Sequence, residues 1–256
     1  VHPALGDAAA NRDLCGAGVA FKLAWQTARA MCGNTRVDDD MKRFLLEATT
    51  LAALGTIADV VPLTGENRII AAFGLRGIAN CKLPGVSALV RLASLDGKPI
   101  TARDVAFRIA PRLNAAGRMG HAGEAVELLS TADGARANEL ATFLDQQNNL
   151  RRDVEKTITA QALEMVESRG LNHPDNRTIV LASTDWHGGV IGIVASRMVD
   201  RFHRPSVLIG INDEGFGQGS GRSVRGFNLV NAIRACEGHL LSCGGHAMAA
   251  GLRLEQ

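Results

Sequence analysis

Apolar residues recur at helical spacing through the first two thirds of the chain and at strand spacing after it. Leu14, Val19, Phe21, Leu23 and Trp25 mark one helix over residues 14–31. A second is predicted over 38–54, opened by Asp38, Asp39 and Asp40 at the positive end of its dipole and ended by Gly55. Residues 55–63, GTIADVVPL, read as a loop or short extended piece that sets one carboxylate, Asp59, among apolar neighbours. Short helices follow at 66–80, 86–94, 101–110 and 122–130, separated by glycine and proline. Residues 134–169 hold no proline and no interior glycine, and their apolar positions fall on one stripe. That predicts a helix about 50 Å long with charged outer faces.

After NHPDN (172–176) the period changes. Strands are predicted at 178–183, 206–211, 216–224 and 249–255, with helices at 190–202 and 227–236. Strands alternating with helices make this part a small α/β domain, and the chain as a whole α/β.

Composition narrows the picture. With 256 residues and 46% apolar content the chain has room for two domains and a sizeable core. The net charge is only +2, so any nucleic-acid surface is local. Such a surface is suggested over 197–234, where Arg197, Arg201, Arg204, Arg222, Arg225 and Arg234 face Asp200, Asp213 and Glu214; arginines on a solvated helix face would look similar. Five cysteines without a C-x-x-C fit a reducing compartment, not a disulfide framework or zinc ribbon. Neither a signal peptide nor a run of 18 apolar residues is present, so a cytoplasmic location without a membrane partner is expected. Tyrosine is absent and aromatics total 4%, which argues against holding bases mainly by stacking.

Four segments carry candidate chemistry. GQGSGRS (217–223) mixes glycines with Ser220 and Arg222, and GGHAMAAG (244–251) mixes them with His246. Glycine permits close backbone approach and positive φ, and arginine offers a planar fork that suits phosphate. Tight turns at sheet corners would give the same letters. WHGGVIGIVASR (186–197) puts Gly188, Gly189 and Gly192 at a helix start, which is an anion site or a close helix–sheet contact. His187 there is a ligand or a buried, satisfied histidine. In PRLNAAGRMG (111–120), Arg112, Asn114 and Arg118 either clamp phosphates or pin the fold through acids. Asp59 is a metal ligand or a paired carboxylate. No nucleotide-binding glycine motif occurs, and the acidic run at 38–40 is more simply a helix start.

Eight segments, in order and spacing, resemble the RecJ-type single-strand-specific exonucleases of the DHH phosphoesterase superfamily. They are LCGAGVAFKL (14–23), ALGTIADVVPL (53–63), ENRII (66–70), PRLNAAGR (111–118), WHGGVIGIVASR (186–197), RFHRPSVLI (201–209), GSGRSVRGFNL (219–229) and GGHAMAAGL (244–252). The resemblance implies the helical C-terminal part of a DHH catalytic domain over 1–132. A long connecting helix at 133–172 and a DHH-associated substrate-binding domain at 173–256 would follow. It implies 5′→3′ hydrolysis of single-stranded DNA to mononucleotides by a two-metal centre of Mn²⁺ or Mg²⁺. Asp59 and His246 would be catalytic, Asp59 as a metal ligand. Ser220 and Arg222 would grip the 5′-terminal phosphate. Arg112, Asn114 and Arg118 would lie near the groove, and His246, with Gly244 and Gly245, would contact phosphate beside the metals. His187 matches a family position.

The family's isolated aspartate, its D-x-D and its DHH triplet have no counterpart here and are expected upstream of Val1. His2 stands where the family commonly has asparagine and is not counted as a ligand. The family's C-terminal oligonucleotide-binding-fold domain is also absent. The chain is therefore expected to be an internal fragment that binds single strands weakly and does not cut them. Implied partners are single-stranded DNA, with a single-strand-binding protein or a helicase, and the longer enzyme is expected to be monomeric. The alternatives are a phosphodiesterase of small nucleotides or oligonucleotides in the same superfamily, and a non-catalytic RecJ-like nucleic-acid-binding subunit.

Overall fold

The computed structural model describes residues 11–33 and 36–255; His2 lies outside the described residues. The chain divides into two compact units, Val1–Asn148 and Asn149–Gln256, with the boundary inside the longest helix.

The first unit is helical. It contains α1 (Gly16–Met31), α2 (Asp39–Ala58), α3 (Gly65–Ala79), α4 (Pro84–Leu92), α5 (Ala102–Asp104), α6 (Ala110–Arg118), α7 (Ala122–Ser130) and the first part of α8 (Gly134–Ser168). Its core gathers Ile78, Leu89, Ile109, Leu128 and Leu144, each at most 2% exposed. Asp38 caps α2 by accepting the Met41 N–H at 2.8 Å, as the acidic start predicts.

Two expectations fail here. Gly55 does not end α2, which runs on to Ala58. A Cβ at Gly55 would lie 2.4 Å from the Ala17 Cβ, so the glycine admits α1 at a helix crossing instead of stopping a helix. The short helix expected over 101–110 does not stop there, and PRLNAAGR continues the run as α6. A π-helical turn, Val105–Ile109, precedes it, in which Ala110 N–H reaches back to Val105 O. The wide turn accommodates Pro111, which has no N–H to give. A capping box starts this run: Thr101 Oγ1 accepts the Asp104 N–H at 3.2 Å, and Asp104 accepts the Thr101 N–H at 3.0 Å.

The second unit is a five-stranded mixed sheet with helices. β1 (Ile179–Ser183) and β2 (Ser206–Ile211) are parallel, joined through α9 (Ile191–Phe202). β3 (Phe216–Arg222), α10 (Leu229–Arg234), β4 (Ser242–Gly245) and β5 (Ala249–Glu255) complete it in the spatial order β1-β2-β3-β5-β4. Sequence periodicity misses β4, whose four residues S-C-G-G carry no alternation. One sheet face packs Val207, Ile209 and Ala250 against Leu229, Val230 and Ile233 of α10. α9 covers the other face over β2 and β3.

The second part of α8 belongs to this unit. Glu155 is 4% exposed and accepts from Arg197 Nε at 2.6 Å and from Arg151. Trp186 Nε1 donates to Gln161 Oε1 at 2.8 Å. Among the described residues no helix is long and apolar enough to cross a membrane.

Candidate functional site

The sheet unit sets Ser220 and Arg222 side by side. Alternation along β3 sends Gln218, Ser220 and Arg222 toward α9 and Gly217, Gly219 and Gly221 toward the α10 core. Arg222 Nη1 donates to Ser220 Oγ at 3.2 Å and to Gly221 O at 2.8 Å. Both side chains lie over the first turn of α9. A Cβ at Gly192 would sit 2.8 Å from Ser220 Oγ and 3.1 Å from Arg222 Nη2. A Cβ at Gly188 would sit 2.9 Å from Gln218 Oε1. The fork therefore stands at the positive end of the α9 dipole, although the N–H groups of Val190, Ile191, Ile193 and Val194 already donate to His187 O and Val190 O. Glycines 188 and 192 make room for these side chains, so the helix–sheet contact and the anion geometry arise from the same residues.

The glycines of GQGSGRS do something other than expected. None has positive φ. A Cβ at Gly219 would lie 2.7 Å from Leu252 Cδ1, and one at Gly217 or Gly221 would press on Leu254 or Leu229. They make room for the core, and only the alternate side chains face outward.

GGHAMAAG forms the β4–β5 hairpin. Gly245 has φ 141°, where its Cβ would meet Ala249 O at 2.5 Å, so this position requires glycine. His246 is exposed, and its N–H closes the turn on Ala249 O at 2.8 Å. The turn is tied down by Ser223 N–H to Met248 O (3.0 Å) and Leu229 N–H to Ala247 O (2.9 Å). Because Arg222 pairs with Ala249 and Gly245 with Ala250, His246 and Arg222 stand at one end of the sheet. His187 is exposed, not buried, and its Nδ1 accepts the Gly189 N–H at 3.1 Å. In the neutral ring that leaves the proton on Nε2.

The local basic excess is smaller than the sequence suggests. Arg197 is engaged by Glu155, and Arg204 donates to the carbonyls of Leu171, Asn172 and His173.

The helical unit has its own hollow, of ≈ 600 Å³, lined by Cys15, Gly16, Ala17, Gly55, Asp59, Asn114, Gly117 and Arg118 among others. Asp59 caps the end of α2 and is exposed, not enclosed by apolar groups as its sequence neighbours suggest. Val60 follows at φ 58°, a strained value for a β-branched residue, and turns the chain sharply out of the helix. Asn67, fully buried, holds this corner by donating to Pro62 O at 3.0 Å and Asp13 O at 2.9 Å. Sequence reasoning passed over Asn67; its one signal was its place in ENRII.

α6 brings Asn114 and Arg118 to the hollow but not Arg112. Arg112 is a pin: its Nε donates to Asp145 at 2.8 Å, and its guanidinium to Arg108 O. As a donor set for a divalent ion, the hollow offers one carboxylate. No group of three His, Cys, Asp or Glu side chains suited to a metal occurs among the described residues. Mg²⁺ and Mn²⁺ demand several oxygen ligands. The described residues thus place one carboxylate, Asp59, at this hollow and no complete donor set for a divalent ion.

Comparison with known proteins supports the resemblance. Residues 175–256 match the DHHA1 domain model. The chain is 44% identical over 245 residues to the single-stranded-DNA-specific exonuclease RecJ of Bacillus subtilis (95% of this chain, 29% of that protein). It is 40% identical to RecJ of Dickeya dadantii (99% of this chain, 46% of that protein). The fold matches a crystal structure of Thermus thermophilus RecJ in complex with Mg²⁺. The TM-score is 0.84 at 37% identity, over 100% of this chain and 38% of that one. A second structure of that protein contains Mn²⁺. The chain thus spans less than half the length of these curated relatives. By sequence and by fold it is thus similar to part of the length of these RecJ proteins.

Proposed function

We propose that this RecJ-type chain is the strand-gripping part of an exonuclease that degrades single-stranded DNA from its 5′ end to mononucleotides. The observation that carries the proposal is the convergence of Ser220 and Arg222 on Gly192 in the first turn of α9. A guanidinium, a hydroxyl and a helix N-terminus at one spot suit a terminal phosphate dianion better than an internal phosphodiester. That preference would set the polarity of digestion.

In this account His246 and the Gly244–Gly245 backbone meet phosphate from the hairpin at the Arg222 end of the sheet. His187, just before Gly188 and its neighbour Gln218, would present Nε2–H farther along β3. In the helical unit Arg118 and Asn114 hold substrate beside Asp59, while Arg112 only fixes α6. A divalent ion, when bound, would polarise the phosphate and activate water. Asp59 is the residue of this chain that would hold it. The divisions 1–132, 133–172 and 173–256, a cytoplasmic location, a monomeric enzyme and single-stranded DNA as partner belong to the same proposal.

The test compares 5′-phosphorylated with 5′-hydroxyl single strands, using Arg222→Gln. The variant should weaken binding of the phosphorylated strand about tenfold or more, the loss of one charge-assisted contact, and bring the two strands close to equal affinity. An equal loss on both strands would remove the terminal-phosphate role.

A further inference from the structure

The outward face of β3 does not stop at the phosphate fork. Alternation continues it from Arg222 and Ser220 to Gln218 and Phe216, roughly 20 Å along the strand. At the Phe216 end lies a hollow of ≈ 680 Å³, lined among others by Phe216, Gln218, Arg253, Asp213, Thr184 and Leu241. Gln218 and Arg253 also wall a second hollow of ≈ 250 Å³, whose floor includes Gly244 and Gly251. The two hollows therefore share a rim.

The chemistry along this path changes in an ordered way. Arg253 is exposed and makes no ion pair among the described residues. It pairs with Gln218 across the β3–β5 ladder, two residues beyond the Ser220–Gly251 pair. Gly244 and Gly251 leave the sheet surface bare. A Cβ at Gly244 would meet nothing within 4 Å, and one at Gly251 only Gly219 O at 3.6 Å. Neither has positive φ, so neither packing nor backbone conformation asks for glycine there.

Phe216 is 43% exposed, and the turn behind it is fixed by Asn212 Oδ1, which accepts the Phe216 N–H at 2.8 Å and the Glu214 N–H at 3.1 Å. The acids Asp213, in the hollow, and Glu255, opposite Phe216, disfavour a phosphate at this end. A carboxylate beside an aromatic ring suits the amino edge of a base instead. One such platform is compatible with an aromatic-poor chain.

We infer that the shared hollows are a nucleotide subsite for the strand beyond its terminal phosphate. Arg253 takes an internal phosphate over the Gly244–Gly251 floor, and Phe216 stacks a base. This rests on the reading of Arg222 and Ser220 as the terminal-phosphate grip and extends it along the strand.

The test uses the 256-residue chain and fluorescence anisotropy with a 5′-phosphorylated mononucleotide and a 5′-phosphorylated hexanucleotide. Arg253→Gln should weaken the hexanucleotide several-fold, reduce its log–log salt slope by roughly 0.7, and leave the mononucleotide unchanged. Phe216→Ala should weaken the hexanucleotide roughly tenfold, again sparing the mononucleotide. Phe216→Leu keeps the apolar bulk without the ring and should show most of the same loss, which separates stacking from folding. Arg222→Gln should weaken both ligands. Silent Arg253 and Phe216 variants beside an active Arg222 variant would overturn the subsite and keep the phosphate grip. The reverse pattern would overturn the grip and keep a strand site at the hollows. A Phe216→Ala chain with altered self-association and unchanged strand affinity would assign the hollow to a protein partner and refute the subsite. A native chain that binds no hexanucleotide would refute both.

Discussion

Gly192→Ala should separate folding from the proposed phosphate recognition at a single atom. The new Cβ would lie 2.8 Å from Ser220 Oγ and 3.1 Å from Arg222 Nη2, both ends of side chains that can rotate away. Displacing Ser220 costs the fold about one rotamer change, roughly 0.5–1.5 kcal/mol. Alanine in place of glycine within a helix returns up to about 1 kcal/mol, and less in the first turn. The two nearly cancel, so the melting temperature should move by only a few degrees. Recognition has no such offset. The 3.2 Å bond between Arg222 Nη1 and Ser220 Oγ is broken, and the space above the α9 terminus is filled. Loss of charge-assisted bonds worth about 1.5–3 kcal/mol corresponds to roughly 10–150-fold in affinity. Thermal unfolding and anisotropy with 5′-phosphorylated and 5′-hydroxyl strands measure the two quantities on one sample. An unchanged melting temperature with unchanged affinity for the phosphorylated strand would refute the argument, as would equal losses on both strands.

Gly219→Ala should do the opposite, destabilising the sheet unit by about 1–3 kcal/mol because its Cβ meets Leu252 in the packed face; a denaturant titration reads the change in midpoint. Glu155→Ala should cost about 1.5–3 kcal/mol, since it strips Arg151 and Arg197 of a partner that is 4% exposed; urea unfolding with an unchanged midpoint would show the cluster to be inert. Asp104 is held below its ordinary value of 3.8, first by the Thr101 hydroxyl and N–H, against the opposing effect of desolvation, and last by Arg108. A depressed carboxyl stabilises the fold above its unfolded pKa and loses that contribution as pH falls through the lowered folded value. Thr101→Val should therefore reduce stability at neutral pH and flatten its decline below about pH 4, followed by thermal unfolding across an acid series.

The local code of the chain determined its elements. Period-3.6 stripes, caps such as Asp38 and the period-2 runs around 180 and 208 depend on near neighbours, and the structure reproduces them. The ordered motifs likewise made the family legible, and Ser220 and Arg222 fell on one face because alternate strand residues must. What glycine does at each position lay beyond that code. Gly55 reads as a helix stop and is a helix crossing, because the deciding atom, Ala17 Cβ, is 38 residues away in sequence. The glycines of β3 read as ligand-facing and serve the core, because Leu252, Leu254 and Leu229 arrive from other elements. Arg112 reads as either a phosphate clamp or a pin, and the choice falls to Asp145, which reaches it from α8. Gln218, Arg253 and Gly251 drew no attention until strand pairing set them side by side. A side chain's role is set by what it meets, and only the tertiary structure decides the meeting.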